Sequence, residues 1–243
     1  MIKLSRHVEP RYRELANVLR HELQEYAAGD YLPSEKQLAS RFEVNRHTLR
    51  RALDVLVAEG RIVRRQGRGS CVLPPPIVYP LHARSAYSNV VAEMGHKSDA
   101  VLLGRRRRRA SADEVRHLAL ESDASVIEVL TLRMLNGQPA SLIAHSFAQH
   151  NEPLLATYRG GSVREYLQQQ DISLTRVFSV IGAGLPSQQE AVQLLMPQQS
   201  AVLKVRTLSC DSNGVPFELA CTVSRADRFQ FLVVSEGEFT DDF

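Results

Sequence analysis

Two arginines spaced four residues apart, Arg46 and Arg50, carry the most specific chemistry in this chain. Four residues make about one turn of an α-helix, so both guanidinium groups would lie on the same helix face. A guanidinium group is planar and can donate two parallel hydrogen bonds to a guanine base in the major groove of DNA. Arg46 and Arg50 are therefore candidate contacts to DNA bases.

The residues around these arginines predict a helix over 46–58. Asn45 is a favourable N-cap residue, and apolar residues recur at helical spacing after it. Those residues are Leu49, Ala52, Leu53 and Leu56. A shorter helix is predicted before it, because Ser34 and Gln37 have the spacing of a capping box. The two helices predict a helix-turn-helix, and an amphipathic helix over 12–26 would complete its core.

A basic hairpin follows the second of these helices. Residues 61–65 alternate as a strand, residues 66–69 contain two glycines that suit a turn, and residues 70–73 can return as the partner strand. Beside the turn, Arg64, Arg65 and Arg68 can neutralise phosphates, and glycine lets the backbone come close to DNA. Each signal is weak by itself, but their ordered succession predicts a winged helix-turn-helix that binds duplex DNA.

Composition and charge agree with a two-domain DNA-binding protein. Through Pro75 there are 14 Lys and Arg against 9 Asp and Glu, a net charge of +5, whereas the remainder has 16 against 18, a net charge of −2. No run approaches the roughly 18 apolar residues of a membrane span, and no signal-peptide core begins the chain. The three cysteines have neither metal-ligand nor disulfide-framework spacing. We expect a cytoplasmic protein without a metal, a cofactor or a membrane partner.

Three consecutive prolines predict a semi-rigid linker after the hairpin. We expect a DNA-binding domain over 1–73, a linker over 74–80 and a second domain over 81–243. The second domain contains an internal repeat: shifted by 76 positions, the capping box at 111–114 overlays that at 187–190. With one additional residue in the second copy, the turn signal at 136–139 then overlays that at 213–216. Two helix-then-hairpin copies predict an α+β domain with one antiparallel sheet and a cleft between its halves.

Three residues of the second domain are candidate ligands for an anion in that cleft. Arg133 lies on a predicted strand at even spacing from Val129 and Thr131, so the three side chains point to the same face. Arg133 is therefore either a charged residue at the edge of the sheet or a cation in the cleft. Ser162 follows two glycines at the start of a predicted helix, where backbone amides and a hydroxyl could bind an anion. Arg176 begins the next predicted strand. Arginine, serine and helix amides together would form an anion receptor.

The first third of the chain resembles the GntR family of bacterial regulators. The matching segments include Leu32-Pro33-Ser34-Glu35, Val44-Asn45-Arg46-His47-Thr48-Leu49-Arg50 and Gln66-Gly67-Arg68-Gly69. The resemblance implies DNA contacts at Lys36, Arg46, Thr48, Arg50, Gln66 and Gly67. His47 stands where small residues are more common in the family, and Arg65 and Arg68 flank the turn of the hairpin. We include these three among the candidate DNA-binding residues.

The second domain resembles the effector domain of the HutC branch of this family. The matching segments include Thr131-Leu132-Arg133, Asn136-Gly137-Gln138-Pro139 and Pro216-Phe217-Glu218. The resemblance implies a chorismate-lyase-like fold of the UTRA type. It also implies that Arg133, Ser162 and Arg176 hold an anion, and that Tyr87, Ser88 and Glu218 line the pocket. Ile143 replaces an acidic residue of the sugar-phosphate-binding members, so a phosphonate or related organophosphate fits better than an amino sugar.

We therefore expect a homodimeric repressor of a catabolic operon, with phosphonate utilisation as the favoured process. Its partners would be double-stranded operator DNA and a small anionic effector. Regulation of sugar-phosphate or histidine catabolism remains open. The chain lacks a nucleophile–base pair, a Walker loop and a zinc-ligand cluster, so no catalytic residues are expected. Lyase activity in the second domain, using Arg133 and Glu218, and DNA binding without sequence choice are the alternatives.

Five consecutive arginines at 105–109 have two interpretations. Five adjacent cations attract phosphate and could bind nucleic acid. Their position between an apolar run and a capping box favours an edge strand, on which like charges discourage pairing with another strand. We favour the edge strand.

Overall fold

The computed structural model describes residues 10–65, 67–80, 91 and 95–233 of the 243-residue chain. The chain forms two compact units, Met1–Pro76 and Ile77–Phe243. The described part of the first unit is mainly helical, and the second unit is built on a six-stranded sheet. None of the described helices is long and apolar enough to cross a membrane.

Three α-helices and a β-hairpin form the described part of the first unit. Their bounds are Arg11–Glu22 (α1), Glu35–Arg41 (α2), Arg46–Ala58 (α3), Ile62–Arg65 (β1) and Gly69–Val72 (β2), with a 3-10 turn at Leu23–Glu25. Ser34 caps α2 in a capping box with Gln37, and Asn45 caps α3, both as the sequence predicts. Strands β1 and β2 pair antiparallel, with Ile62 opposite Val72. This order of elements confirms the winged helix-turn-helix.

The core of the first unit fixes the orientation of α3. Leu49, Leu53 and Leu56 of this helix are fully buried, in one cluster with Leu19 of α1 and Ile62 of β1. Burying one such side chain contributes about 1.5–3 kcal/mol. The apolar face of α3 is therefore held in the core, and its opposite face is left to solvent.

The second unit contains strands and short helices in alternation. The described strands are Ile77–Pro80 (β3), Ser98–Arg109 (β4), Ser125–Leu135 (β5), Gln138–Ala148 (β6), Thr175–Gly184 (β7), Val202–Cys210 (β8), Pro216–Arg225 (β9) and Phe229–Leu232 (β10). The described helices are Ala112–His117 (α4), Glu152–Leu155 (α5), Val163–Gln168 (α6) and Gln188–Gln193 (α7), with a 3-10 turn at Gln149–Asn151. Six strands form one antiparallel sheet in the order β4-β5-β6-β9-β8-β7. The predicted α+β class is confirmed.

The internal repeat forms two matching halves of this sheet. The first half consists of β4, α4 and the β5–β6 hairpin, and the second consists of β7, α7 and the β8–β9 hairpin. Ser111 and Ser187 form the predicted capping boxes at the starts of α4 and α7. The halves meet where β6 pairs with β9, so β4 and β7 are the two edges of the sheet.

The two faces of the sheet differ, because side chains alternate along each strand. One face packs against α4 and α7, where Val126 clusters with Leu118 and Leu142 clusters with Leu194. The other face packs against α5 and α6 through a cluster that contains Phe147. Beyond this cluster, the second face bears polar side chains and borders a cavity.

Strand β3 occupies part of the predicted linker. Ile77–Pro80 pairs in parallel with β10, with Tyr79 opposite Phe231, and the side chains of Ile77 and Tyr79 are buried. The boundary between the two units lies after Pro76. The linker is therefore shorter than the predicted 74–80, because the residues after the prolines are held by backbone pairing and burial.

The five arginines lie in the second half of β4, at the edge of the sheet. Arg106 and Arg108 point to one face, and the Nε atom of each donates to Glu128 over 2.7 Å. Arg105 points to the other face and donates to a backbone carbonyl of α5. These contacts support the edge-strand interpretation rather than a nucleic-acid site.

Candidate functional site

The first turns of α3 present the predicted DNA-binding side chains. Arg46, His47 and Arg50 are exposed, and Thr48 is half-buried. The backbone N–H of Thr48 donates to Oδ1 of Asn45 over 2.8 Å, which fixes the start of the helix. In a helix-turn-helix, residues near the start of the second helix contact bases in the major groove. This end of α3 therefore has the exposure and the chemistry that base contacts need.

Arg50 is held in a defined orientation by Glu35, the first residue of α2. The Nε atom of Arg50 donates to Oε2 of Glu35 over 2.8 Å. This hydrogen bond raises the pKa of Arg50 above its ordinary value. It uses Nε and leaves the two terminal nitrogens of the guanidinium group for a bidentate contact with guanine.

Arg64 joins strand β1 to α3. Its Nη1 atom lies 2.7 Å from Oδ1 of Asp54, and its Nη2 atom donates to the backbone carbonyl of Arg50 over 3.0 Å. The sequence predicts a phosphate contact for Arg64. In the structure its contacts lie within the unit and fix the hairpin against the helix that bears Arg50.

The turn of the hairpin has the geometry that glycine permits. Gly67 and Gly69 have φ angles of 74° and 98°, a backbone region that side chains with a Cβ atom disfavour. Arg68, between them, is exposed, and its guanidinium carbon lies 5.6 Å from the ring centroid of Tyr31. The turn therefore presents a cation on a narrow loop.

Two other predicted contacts are exposed cations of the same unit. Lys36 lies on α2 and Arg65 on β1. Gln66 lies outside the described residues. Arg51 of α3 is exposed and lies over the ring of Tyr12, with its guanidinium carbon 4.0 Å from the centroid. Its contact is with α1.

A cavity of about 140 Å³ lies on the second face of the sheet. Strands β5, β6, β8 and β9 contribute its floor, and α6, β7 and β10 contribute to its walls. All predicted effector-binding residues in the described part of the chain line it: Arg133, Ser162, Arg176 and Glu218. Tyr87 and Ser88 lie outside the described residues.

Three arginines from different elements line this cavity. Arg133 lies on β5, Arg164 on α6 and Arg176 on β7. The Nη2 atom of Arg164 donates to the backbone carbonyl of Leu174 over 2.6 Å. Burial lowers the pKa of Arg164; Glu218 raises it, and the positive charge of Arg176 lowers it. Like charges gathered at one cavity favour an anionic ligand that neutralises them.

Ser162 is the N-cap of α6. Its Oγ atom accepts a hydrogen bond from the backbone N–H of Glu165 over 3.3 Å, so its hydroxyl proton can be donated to a ligand. The sequence predicts that backbone amides at the start of this helix also bind the anion. The N–H of Gly161 instead donates to the carbonyl of Ala100 over 2.7 Å. The N–H of Gly161 is therefore engaged within the unit, whereas the hydroxyl group of Ser162 faces the cavity.

Glu218 belongs to a buried hydrogen-bonded chain. Nδ1 of His145 lies 2.6 Å from Oε1 of Glu218, and Nε2 of His145 lies 3.1 Å from Oγ1 of Thr131. Burial raises the pKa of the Glu218 carboxyl, but the hydrogen bond and charge of His145, together with Arg164 and Arg133, lower it overall. The cavity thus places one carboxylate among its cations.

Arg164 and His145 are cavity residues that the sequence reasoning missed. His145 has the same strand parity as Ile143, which also lines the cavity, so the alternating pattern contained a usable signal. Arg164 follows Ser162 by two residues on a helix of only six residues. So short a helix has too few turns for its pattern to identify the face that meets the sheet.

Family models match both units of the chain. Residues 11–72 match bacterial regulatory proteins of the gntR family, and residues 93–230 match the UTRA domain. The UTRA match alone covers more than half of the chain. The chain belongs to the GntR family and carries a UTRA domain.

This GntR protein is similar to curated regulators along most of its length. It is 41% identical over 225 residues to the probable transcriptional regulator PhnF of Escherichia coli (strain K12), covering 91% of this chain and 93% of that protein. It is 29% identical over 214 residues to the HTH-type transcriptional repressor PhnF of Mycolicibacterium smegmatis, covering 86% of each. This GntR protein is therefore a transcriptional regulator of the PhnF type.

A solved structure supports the fold of this GntR protein. The crystal structure of PhnF from Mycobacterium smegmatis matches with a TM-score of 0.65 at 25% identity, covering 92% of this chain and 99% of that chain. The effector domain of the same protein matches with a TM-score of 0.61 at 21% identity. The predicted combination of a winged helix-turn-helix with a UTRA domain is confirmed.

Proposed function

We propose that this GntR regulator is a homodimeric repressor that releases its operator when a small phosphonate or related organophosphate binds in the UTRA cavity. The observation that carries the proposal is the meeting of Arg133, Arg164, Arg176 and Ser162 at one cavity. The relative from Mycolicibacterium smegmatis is named a repressor, which supports the direction of regulation. Such a protein acts in the cytoplasm, where it has access to operator DNA.

The chemistry of the cavity favours a compact tetrahedral anion. Guanidinium groups and a hydroxyl group can donate to several oxygens of one phosphonate or phosphate group, and such charge-assisted bonds are strong. The cavity volume of about 140 Å³ is smaller than the roughly 300–1,000 Å³ of pockets for drug-sized ligands. A small ligand with one anionic group suits both features.

Ile143 favours a phosphonate over an amino-sugar phosphate. It lies in the cavity floor, at the position where the HutC-branch resemblance implies an acidic residue in sugar-phosphate-binding members. An isoleucine side chain cannot accept a hydrogen bond from a sugar hydroxyl or an amino group. The short carbon substituent of a phosphonate makes no such demand.

Recognition of an operator requires two copies of α3. A helix-turn-helix dimer places its two recognition helices in successive major grooves, on half-sites about one helical turn or more apart. A ligand that binds more tightly to one arrangement of the dimer shifts the population towards that arrangement. Effector binding that disfavours the operator-bound spacing would release the DNA, and transcription of a catabolic operon would begin.

The decisive experiment measures DNA binding by the purified chain with and without candidate effectors. A palindromic site upstream of its own operon is compared with scrambled DNA at fixed salt, because salt strongly changes DNA affinity. We expect tight binding to the palindrome and release by methylphosphonate. Equal binding to both DNAs would instead support a protein without sequence choice. Release by a phosphorylated sugar alone would change the effector class, and conversion of the ligand to product would support a lyase.

A substitution in the cavity tests the effector part of the proposal. Arg176→Ala should bind the operator with wild-type affinity but resist release by methylphosphonate. Arg116→Ala is the matched control, because Arg116 is an exposed arginine of the same unit outside the cavity. This control should bind and release like the wild type. Wild-type release by Arg176→Ala would contradict the assignment of the cavity.

A further inference from the structure

The two edges of the six-stranded sheet differ sharply in charge. Strand β4, at one edge, carries the five arginines at 105–109. Strand β7, at the other edge, has no charged residue after Arg176, and none follows before Glu190. Charged side chains on an edge strand prevent pairing with another chain, and an edge without them permits it.

The internal repeat makes this difference informative, because the two edges occupy equivalent places in the two halves. The 76-residue shift that aligns the capping boxes also aligns 105–109 with 181–185. Five arginines of the first copy thus correspond to Ile181, Gly182, Ala183, Gly184 and Leu185 of the second. One copy of the same structural unit has an edge protected by charge, whereas the other copy has an apolar edge.

Three apolar side chains of β7, and that of Leu185 directly after the strand, are exposed. Val177, Val180, Ile181 and Leu185 are 57%, 52%, 41% and 60% exposed. Within the described residues, β8 is the one strand that pairs with β7, so the outer backbone groups of β7 have no strand beside them. A strand edge of this kind fits a partner that supplies both another strand and apolar side chains.

We propose that the outer edge of β7 pairs antiparallel with β7 of a second copy, which joins the two UTRA sheets across a two-fold axis. A two-fold interface brings the same surface patch of both copies together, so the strand must be complementary to itself. Pairing centred on Val180 places Val177 opposite Ala183 and Arg176 opposite Gly184. No two like charges face each other in this pairing. The same pairing through β4 would place arginines of one copy opposite arginines of the other.

This proposal deepens the proposed function, on which it rests, because it assigns the surface that forms the homodimer. Arg176 is part of β7 and lines the effector cavity. The strand pairing of β7 with β8 also shifts register between Arg176 and Phe178. An anion bound to Arg176 would therefore act directly on the strand that joins the two copies. Cavity and dimer would share one structural element.

The first experiment compares Val180→Glu with Val192→Glu by sedimentation velocity, without DNA or effector. Glutamate is used because Val180 lies opposite Arg206 on β8, so the new charge has a compatible neighbour within the chain. Val192 is an apolar residue of α7, 65% exposed and on a different surface, which makes it the matched control. Two glutamates facing each other across the axis should weaken the dimer about a hundredfold or more. We expect a monomer for Val180→Glu and a dimer for the wild type and the control.

Cysteine cross-linking tests the same surface with a smaller change, and it decides the matter if Val180→Glu does not fold. Cys71 and Cys210 are buried, so a Cys221→Ser background removes the exposed thiol. In this background, Val180→Cys should form a covalent dimer with a short bismaleimide, and Val192→Cys should not. The proposal is overturned by a monomeric wild type, by a dimeric Val180→Glu, or by the absence of the Val180→Cys cross-link.

These outcomes are separate from those of the proposed function. Sedimentation and cross-linking report on the dimer surface alone, and operator binding is measured on the same wild-type sample. A dimer through β7 that does not distinguish operator from scrambled DNA would refute the proposed function and leave this surface in place. Specific, effector-sensitive DNA binding by a protein whose dimer survives Val180→Glu would refute this surface and leave the proposed function in place.

Discussion

The Nε atom of Arg50 lies 2.8 Å from Oε2 of Glu35, so the first residue of α2 orients a candidate base-contacting arginine of α3. Both side chains lie at the surface of the DNA-binding unit, where an isolated ion pair contributes little to stability. The value of this pair is geometric, because it directs the two terminal nitrogens of Arg50 away from Glu35.

Replacing Glu35 by glutamine should reduce discrimination between operator and scrambled DNA. Affinity for the operator should fall about tenfold, because Arg50 loses its fixed orientation. Affinity for scrambled DNA should rise slightly, because a negative charge near the phosphates is removed. Fluorescence anisotropy at fixed salt measures both affinities. Glu22→Gln breaks another surface ion pair of the same unit, with Arg41, and should leave discrimination unchanged. Equal effects of the two variants would contradict the positioning role.

Glu114 should make the stability of the protein depend on pH. Its carboxylate is buried and accepts hydrogen bonds from Arg108 over 2.6 and 2.7 Å, and from Ser146 and Ser111. Burial raises the pKa of Glu114, but these bonds, led by that from Arg108, lower it to about 2. A carboxyl whose pKa is lowered on folding stabilises the protein above its unfolded pKa, and this contribution is lost as the pH falls towards its folded pKa.

Glu114→Gln should therefore lower the free energy of unfolding by about 2–3 kcal/mol near pH 7. The difference from the wild type should shrink as the pH falls below about 4.5 and disappear near pH 2. Urea denaturation over this pH range measures it. Glu152→Gln is the control, because Glu152 is half-exposed and lies 3.7 Å from Arg107, and it should have little effect at any pH. A pH-independent difference for Glu114→Gln would contradict the ionised state of the carboxyl.

Neutralising the arginines on one side of β4 should leave DNA binding intact. The triple variant Arg105→Gln, Arg107→Gln, Arg109→Gln should change operator affinity by less than about twofold, because these charges belong to a sheet edge of the UTRA domain. Arg65→Gln with Arg68→Gln in the hairpin is the comparison. That double variant should weaken operator binding. The slope of log affinity against log salt concentration should fall by the amount expected for the loss of about two phosphate contacts. A large loss of affinity for the triple variant would restore the nucleic-acid interpretation.

Local signals made the DNA-binding unit predictable from the sequence. Ser34 and Asn45 cap helices through contacts within three residues, and the leucines of α3 recur at helical spacing, so the pattern contains the information. The sheet of the second unit was also predictable, because both copies of the repeat contain local signals of the same kind. Each of its halves contains a capping box and a turn signal at matching positions.

Contacts between distant segments were not predictable in this way. Strand β3 is stabilised by pairing with β10, which lies near the other end of the chain. The four residues of β3 follow a proline run and are too few for their pattern to predict a strand. The pairing of Glu35 with Arg50 and of Arg108 with Glu114 also depends on tertiary packing. The alternation of side chains along β5 made Arg133 a predictable cavity residue. Arg164 was not predictable, because its place in the cavity depends on how α6 is oriented on the sheet.

The most direct test of base recognition by α3 is a footprint of the purified protein on the DNA upstream of its own operon. The wild type should protect a defined palindromic stretch. Arg46→Ala and Arg50→Ala should each weaken that protection roughly tenfold to a hundredfold and keep the binding to scrambled DNA within a fewfold. A wild type that protects no defined stretch, or an Arg46→Ala, Arg50→Ala double variant that protects it fully, would contradict recognition of bases by these two arginines.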